Sequence, residues 1–103
     1  MHPAISDKQA DIAALCRDFG VKRLEIFGSA ARGTDFDVAS SDADFLVEFL
    51  PGNGFNVADE FFGLHSGLVK TLGREVDLIN PKYIRNPHLL KNINFSRELV
   101  YAA

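Results

Sequence analysis

The sequence predicts a mixed α/β (α+β) fold, and three observations carry that expectation. Ile12, Leu15, Cys16 and Phe19 recur at one-face helical spacing. Leu24 and Ile26 alternate with Arg23, Glu25 and Phe27 as in a strand with one buried side. Val57, Ala58, Phe61, Leu64, Leu68 and Leu72 mark the apolar stripe of a longer helix, with Phe62 and Val69 widening it.

Each element has punctuation of its own. Ser6 followed by Gln9 has the form of a capping box, so the first helix is expected over residues 6–19, with Gly20 as its stop. The strand over 21–27 ends at Gly28. Residues 28–41 are rich in Gly, Ser, Thr and Asp and read as a long loop with at most a short helical turn near Ser29 and Arg32. A mostly buried strand over 43–50 is broken by Pro51 and Gly52. Asn56 is placed to cap the long helix and Gly73 to end it. A short strand over 75–79 follows. Asn80-Pro81 and Asn86-Pro87 each put a cap before a helix-starting proline, so two short helices are expected there, and residues 98–101 suit a last edge strand.

Composition narrows the class. At 103 residues the chain suits one domain over 1–103 with one core, filled by nine Phe and two Tyr. Apolar runs such as Phe45-Leu46-Val47 are far too short for a membrane span, and no secretory pattern opens the chain, so a soluble, cytoplasmic protein is expected. Cys16 is the sole cysteine, which excludes an internal disulfide and a Cys-rich zinc site; among Ile12, Leu15 and Phe19 it reads as a buried structural thiol. A net charge of −3 argues against charge-driven nucleic-acid binding.

The chemistry concentrates in six residues. Asp42 and Asp44, one residue apart on a strand, point to one face with Cα atoms about 6–7 Å apart. Asp77 stands between Val76 and Leu78, so alternation turns it away from those apolar neighbours. Gly28 and Ser29 follow a strand; glycine lets the backbone approach a phosphate closely, and serine offers a hydroxyl and an N–H. Arg32 adds a cation for a triphosphate tail. Carboxylates for Mg²⁺ plus a phosphate cradle are the minimum equipment for phosphoryl and nucleotidyl transfer. With two ions, Asp77 falls nearest the attacking hydroxyl and is the candidate to accept its proton.

Taken alone, a Gly-Ser pair usually marks a turn and Asp-x-Asp a solvated loop or helix cap; the combination is what is specific. Asp35 and Asp37 read as solvated loop residues. His65 reads as packing at the edge of the long helix's apolar face, and His2 and His88 form no ligand spacing with it.

Three segments, Phe27-Gly28-Ser29-Ala30-Ala31-Arg32-Gly33, Ser41-Asp42-Ala43-Asp44-Phe45-Leu46-Val47-Glu48-Phe49 and Gly73-Arg74-Glu75-Val76-Asp77-Leu78-Ile79, together resemble the minimal nucleotidyltransferases of the DNA polymerase beta superfamily. The resemblance runs over nearly the whole chain. It implies a small mixed β-sheet flanked by helices, with Mg²⁺, expected as two ions, held by Asp42, Asp44 and Asp77 and nucleotide phosphates near Gly28 and Ser29. Members of this size are often antitoxins encoded beside a HEPN-domain ribonuclease toxin. The implied activity is transfer of AMP from ATP to a tyrosine hydroxyl on that partner, which gives a nucleotide substrate and a hetero-oligomeric partner without a membrane or nucleic-acid target. Two alternatives stand beside it: a binding-only antitoxin in which the acids are relics, and a small-molecule nucleotidyltransferase of the antibiotic-modifying kind.

Overall fold

In a computed structural model of the chain, residues 3–27, 43–52, 56–81 and 97–103 are described. They form helix α1 (Pro3–Ser6), helix α2 (Gln9–Asp18), strand β1 (Val21–Phe27), strand β2 (Ala43–Phe49), helix α3 (Val57–Leu72), strand β3 (Val76–Ile79) and strand β4 (Arg97–Ala102). The four strands make one sheet in the order β3-β2-β1-β4. β1 is antiparallel to both β2 and β4, and β2 is parallel to β3. The parallel pair is joined through α3, as a parallel connection requires a crossover. The expected mixed sheet flanked by helices is therefore observed.

One face of the sheet makes the core. Leu24 and Ile26 of β1, Ala43, Phe45 and Val47 of β2, and Val76 and Leu78 of β3 are all buried there, against Ile5 of α1, Ile12 and Cys16 of α2, and Leu64 and Leu68 of α3. The pairing of Leu24 with Val47 and Ile26 with Phe45 shows why: the two-residue period of each strand and the antiparallel register align the apolar sets. Cys16 is a free thiol with no exposed surface, as expected for a structural cysteine.

The first helix departs from expectation. Instead of one helix over 6–19 there are two, separated by a turn at Asp7 and Lys8, and Ser6 ends the first rather than capping the second. The cap position of α2 is taken by Lys8, which makes no side-chain capping bond. Gln9 is engaged elsewhere: its Nε2 donates to the carbonyl of Val100 on β4, at 3.1 Å. A tertiary bond to the sheet has displaced the local capping box, and α1 instead delivers Ile5 to the core with no exposed surface.

α3 follows its caps closely. Asn56 Oδ1 accepts from the Asp59 N–H at 2.8 Å, Asp59 and Glu60 sit in the first turn and Lys70 in the last, matching the helix dipole. Gly73 takes φ 66° and donates its N–H to Val69. The buried stripe is narrower than expected, for Ala58 and Phe62 are exposed. At about 100° per residue Phe62 lies some 160° round the helix from the core-facing Leu64, and it keeps 65 % of its surface.

What brings α3 onto α2 was not anticipated. A Cβ at Gly67 would lie 2.6 Å from Leu15 Cδ1, and one at Gly63 would collide with the ring of Phe19. Two glycines four residues apart present a groove that receives Leu15 of α2 and Phe19 just past its end.

The strand over 75–79 is seen as β3, that over 43–50 as β2, and the final edge strand is longer than expected. Beyond Pro81, the helices expected after Asn80 and Asn86 fall on residues 82–96, outside the described residues, as does the loop over 28–41. No helix among the described residues is long and apolar enough to cross a membrane.

Candidate active site

Opposite the core, one row of side chains crosses the sheet at its rim. Asp77 of β3 is the register partner of Asp44 of β2, Asp44 that of Phe27 of β1, and Phe27 that of Arg97 of β4. Neighbouring strands lie about 4.8 Å apart, so the two carboxylates stand side by side on one face. The packing on the other face imposes this. Ala43 and Phe45 flank Asp44 and pair with Val76 and Leu78, which flank Asp77, and all four are buried. With a two-residue period, burying those four compels both aspartates outward. Asp44 is half-buried and Asp77 exposed.

Of the residues singled out in the sequence, the structure thus brings Asp44 and Asp77 together. Asp42, Gly28, Ser29 and Arg32 lie outside the described residues, as do Asp35, Asp37, His2 and His88. Their points of attachment are nonetheless placed: Gly28 follows Phe27, the partner of Asp44, and Asp42 precedes Ala43, the first residue of β2.

The sequence did not reveal the charge cluster beside this row. Glu25, 6 % exposed at the middle of β1, accepts from Arg97 Nε at 2.7 Å, from Arg97 Nη2 at 2.9 Å and from Arg23 Nε at 2.8 Å. A nearly dry carboxylate is tolerable only with such charge-assisted partners. The signal present in the sequence was a Glu in a strand whose neighbours Leu24 and Ile26 are apolar; its main partner is 72 positions away. Also unforeseen is a bond from His65 of α3, whose Nε2 donates to the Val76 carbonyl at 2.8 Å, immediately before Asp77.

The model of the nucleotidyltransferase domain family matches residues 12–100. This chain belongs to that family. The nucleotidyltransferase is also 40 % identical, over 83 residues, to MJ1379 of Methanocaldococcus jannaschii, which carries the provisional name of a protein adenylyltransferase; the match covers 81 % of this chain and 78 % of that one. Its fold resembles a solved structure provisionally described as a minimal nucleotidyltransferase, with a TM-score of 0.74, 26 % identity and 95 % of each chain covered. It also resembles a chain in a complex of tri-AMPylated Shewanella oneidensis HEPN toxin with MNT antitoxin: TM-score 0.64, 17 % identity, 95 % of this chain and 72 % of that one. At that identity the likeness is one of fold.

A nucleotidyltransferase acts on a nucleotide, and the rim is suited to it. Two carboxylates on adjacent strands repel each other unless a cation lies near them. They offer hard oxygen ligands, and Mg²⁺ characteristically uses one or two carboxylates and completes its shell with substrate phosphates and water. The donor set of Asp44 and Asp77 fits that pattern. Among the described residues no three His, Cys, Asp or Glu side chains cluster as a complete metal cage.

Proposed function

We propose that this nucleotidyltransferase is a Mg²⁺-dependent protein adenylyltransferase, a single domain over residues 1–103, that moves AMP from ATP to a tyrosine hydroxyl of a HEPN ribonuclease toxin and so acts as its antitoxin in the cytoplasm. The observation that carries the reading is the register pairing of Asp44 with Asp77 on the exposed rim of a nucleotidyltransferase sheet. The kinship with a chain provisionally named a protein adenylyltransferase supports protein as the acceptor, and the fold shared with a chain of a toxin-antitoxin complex supports the partner.

In the reaction the acceptor oxygen forms a bond to the α-phosphorus of ATP, the bond from that phosphorus to the oxygen bridging the β-phosphate breaks, and pyrophosphate leaves with the electron pair. Bound Mg²⁺, expected as two ions, would supply charge neutralisation for the triphosphate and would lower the pKa of the attacking hydroxyl. Asp42, Asp44 and Asp77 would hold it. Asp77, on β3, would take up the hydroxyl proton. Gly28 and Ser29 cradle the phosphates with their N–H groups, and Arg32 adds a positive charge.

Incubation with labelled ATP, Mg²⁺ and the toxin encoded beside it is expected to label a tyrosine of the toxin and to abolish its ribonuclease activity. An Asp44→Ala/Asp77→Ala variant that labels the toxin as well as the unaltered protein would sink the proposal. Neutralisation by that variant without labelling would instead show an antitoxin that acts by binding alone.

A further inference from the structure

We propose that His65 is a positioning residue for Asp77, holding the peptide unit on which that carboxylate is mounted. β3 has four residues and, among the described residues, is paired only with β2. The Glu75 carbonyl faces β2, where it accepts from the Ala43 N–H at 3.2 Å. Carbonyls alternate along a strand, so that of Val76 turns to the opposite, unpaired side. There His65 Nε2 donates to it at 2.8 Å.

The bonded carbonyl and the N–H of Asp77 belong to one planar trans peptide. His65 therefore grips this plane from one edge while β2 grips it from the other. Rotation of that plane would swing the Asp77 carboxylate away from its partner Asp44. The grip is firm because α3 cannot slide: Leu64 and Leu68 are fully buried, and Gly63 and Gly67 seat the helix on Phe19 and Leu15. A displacement of about 1 Å at a reacting group can lower a rate about a hundredfold.

The role in catalysis rests on the adenylyl-transfer reading above, whereas Mn²⁺ binding tests the positioning without it. Two variants remove the donor, His65→Leu and His65→Phe, and His65→Gln keeps an N–H at the same reach. Folding is checked by circular dichroism. For folded His65→Leu or His65→Phe, titration with Mn²⁺ followed by electron paramagnetic resonance is expected to show about three- to tenfold weaker binding. The Mg²⁺ concentration for half-maximal AMP transfer should rise in step and kcat fall, with KM for ATP within about twofold, and His65→Gln should restore all three. A folded donor-less variant with unaltered Mn²⁺ affinity and Mg²⁺ dependence overturns the inference, and loss of fold in both shows the bond to be structural only. If the unaltered protein binds Mn²⁺ but transfers no AMP, the functional reading fails and the Mn²⁺ titrations still judge His65; if it binds no Mn²⁺, both fail.

Discussion

Glu25 and Arg97 meet on the sheet face opposite the core, through two hydrogen bonds that tie the last strand to the middle of the first. The carboxylate is nearly dry, and its guanidinium partners are more open, with 38 % of the Arg97 side chain and 47 % of that of Arg23 exposed. Removing Glu25 therefore takes one carboxylate from two cations that water can still reach. Removing Arg97 strands a buried anion with Arg23 alone.

Unfolding in urea should show that difference. Arg97→Met is expected to cost about 2 kcal/mol, close to the penalty for a half-orphaned buried charge, and Glu25→Gln about 1 kcal/mol. The double variant should be less destabilised than the two singles summed. Strict additivity would mean that the pair seen here contributes nothing in solution.

Cys16 gives a pH dependence with a defined sign. Burial pushes its thiol up from 9.0 to about 12, opposed in part by the charge of Arg17. Below pH 9 the thiol is neutral in both states and adds no slope. Between pH 9 and 12 the unfolded chain ionises first, so its share of stability drains away at about 1.4 kcal/mol per pH unit. Cys16→Ala, although less stable at neutral pH, should lose less stability over that window, as measured by urea titrations at several pH values. The native thiol should also resist alkylation at pH 8 until the chain unfolds.

Gly67 and Leu15 should be coupled. Replacing Gly67 by Ala improves helix propensity by about 1 kcal/mol. The added methyl, however, displaces Leu15 Cδ1 and Cδ2 from 2.6 and 2.8 Å, at a cost of about 1–3 kcal/mol. Gly67→Ala is expected to destabilise the unaltered chain and to stabilise a Leu15→Ala background. The same sign in both backgrounds would show that α2 and α3 do not press together at this point.

Asp77 separates function from stability. It is exposed, so Asp77→Asn should leave the unfolding free energy within about 0.5 kcal/mol of the parent. The AMP transfer proposed above should nevertheless fall at least about a hundredfold, because the amide could neither serve as an anionic ligand nor accept a proton in that reaction. Retained transfer with retained stability would remove Asp77 from the site.

Much of this was legible in the chain. The limits of α3 could be read because Asn56 and Gly73 act within one turn of themselves, and the facing of Asp44 and Asp77 because Ala43, Phe45, Val76 and Leu78 leave a strand only one face to bury. Phe62 was misassigned since hydrophobicity alone does not say which arc of a helix meets the sheet; at 65 % exposure it lies on the far arc. Gln9 looked like half of a capping box and instead bonds Val100, 91 positions away.

Local sequence thus determined the strands β1, β2 and β3, the caps of α3 and the family, since each depends on periodicity or spacing within a few residues. Tertiary structure decided the rest: that Asp44 and Asp77 share one register, that Glu25 is bound by an arginine from the final strand, and that His65 holds the peptide before Asp77. Those relationships depend on which strands become neighbours, and that is set by burying the whole apolar set in one core.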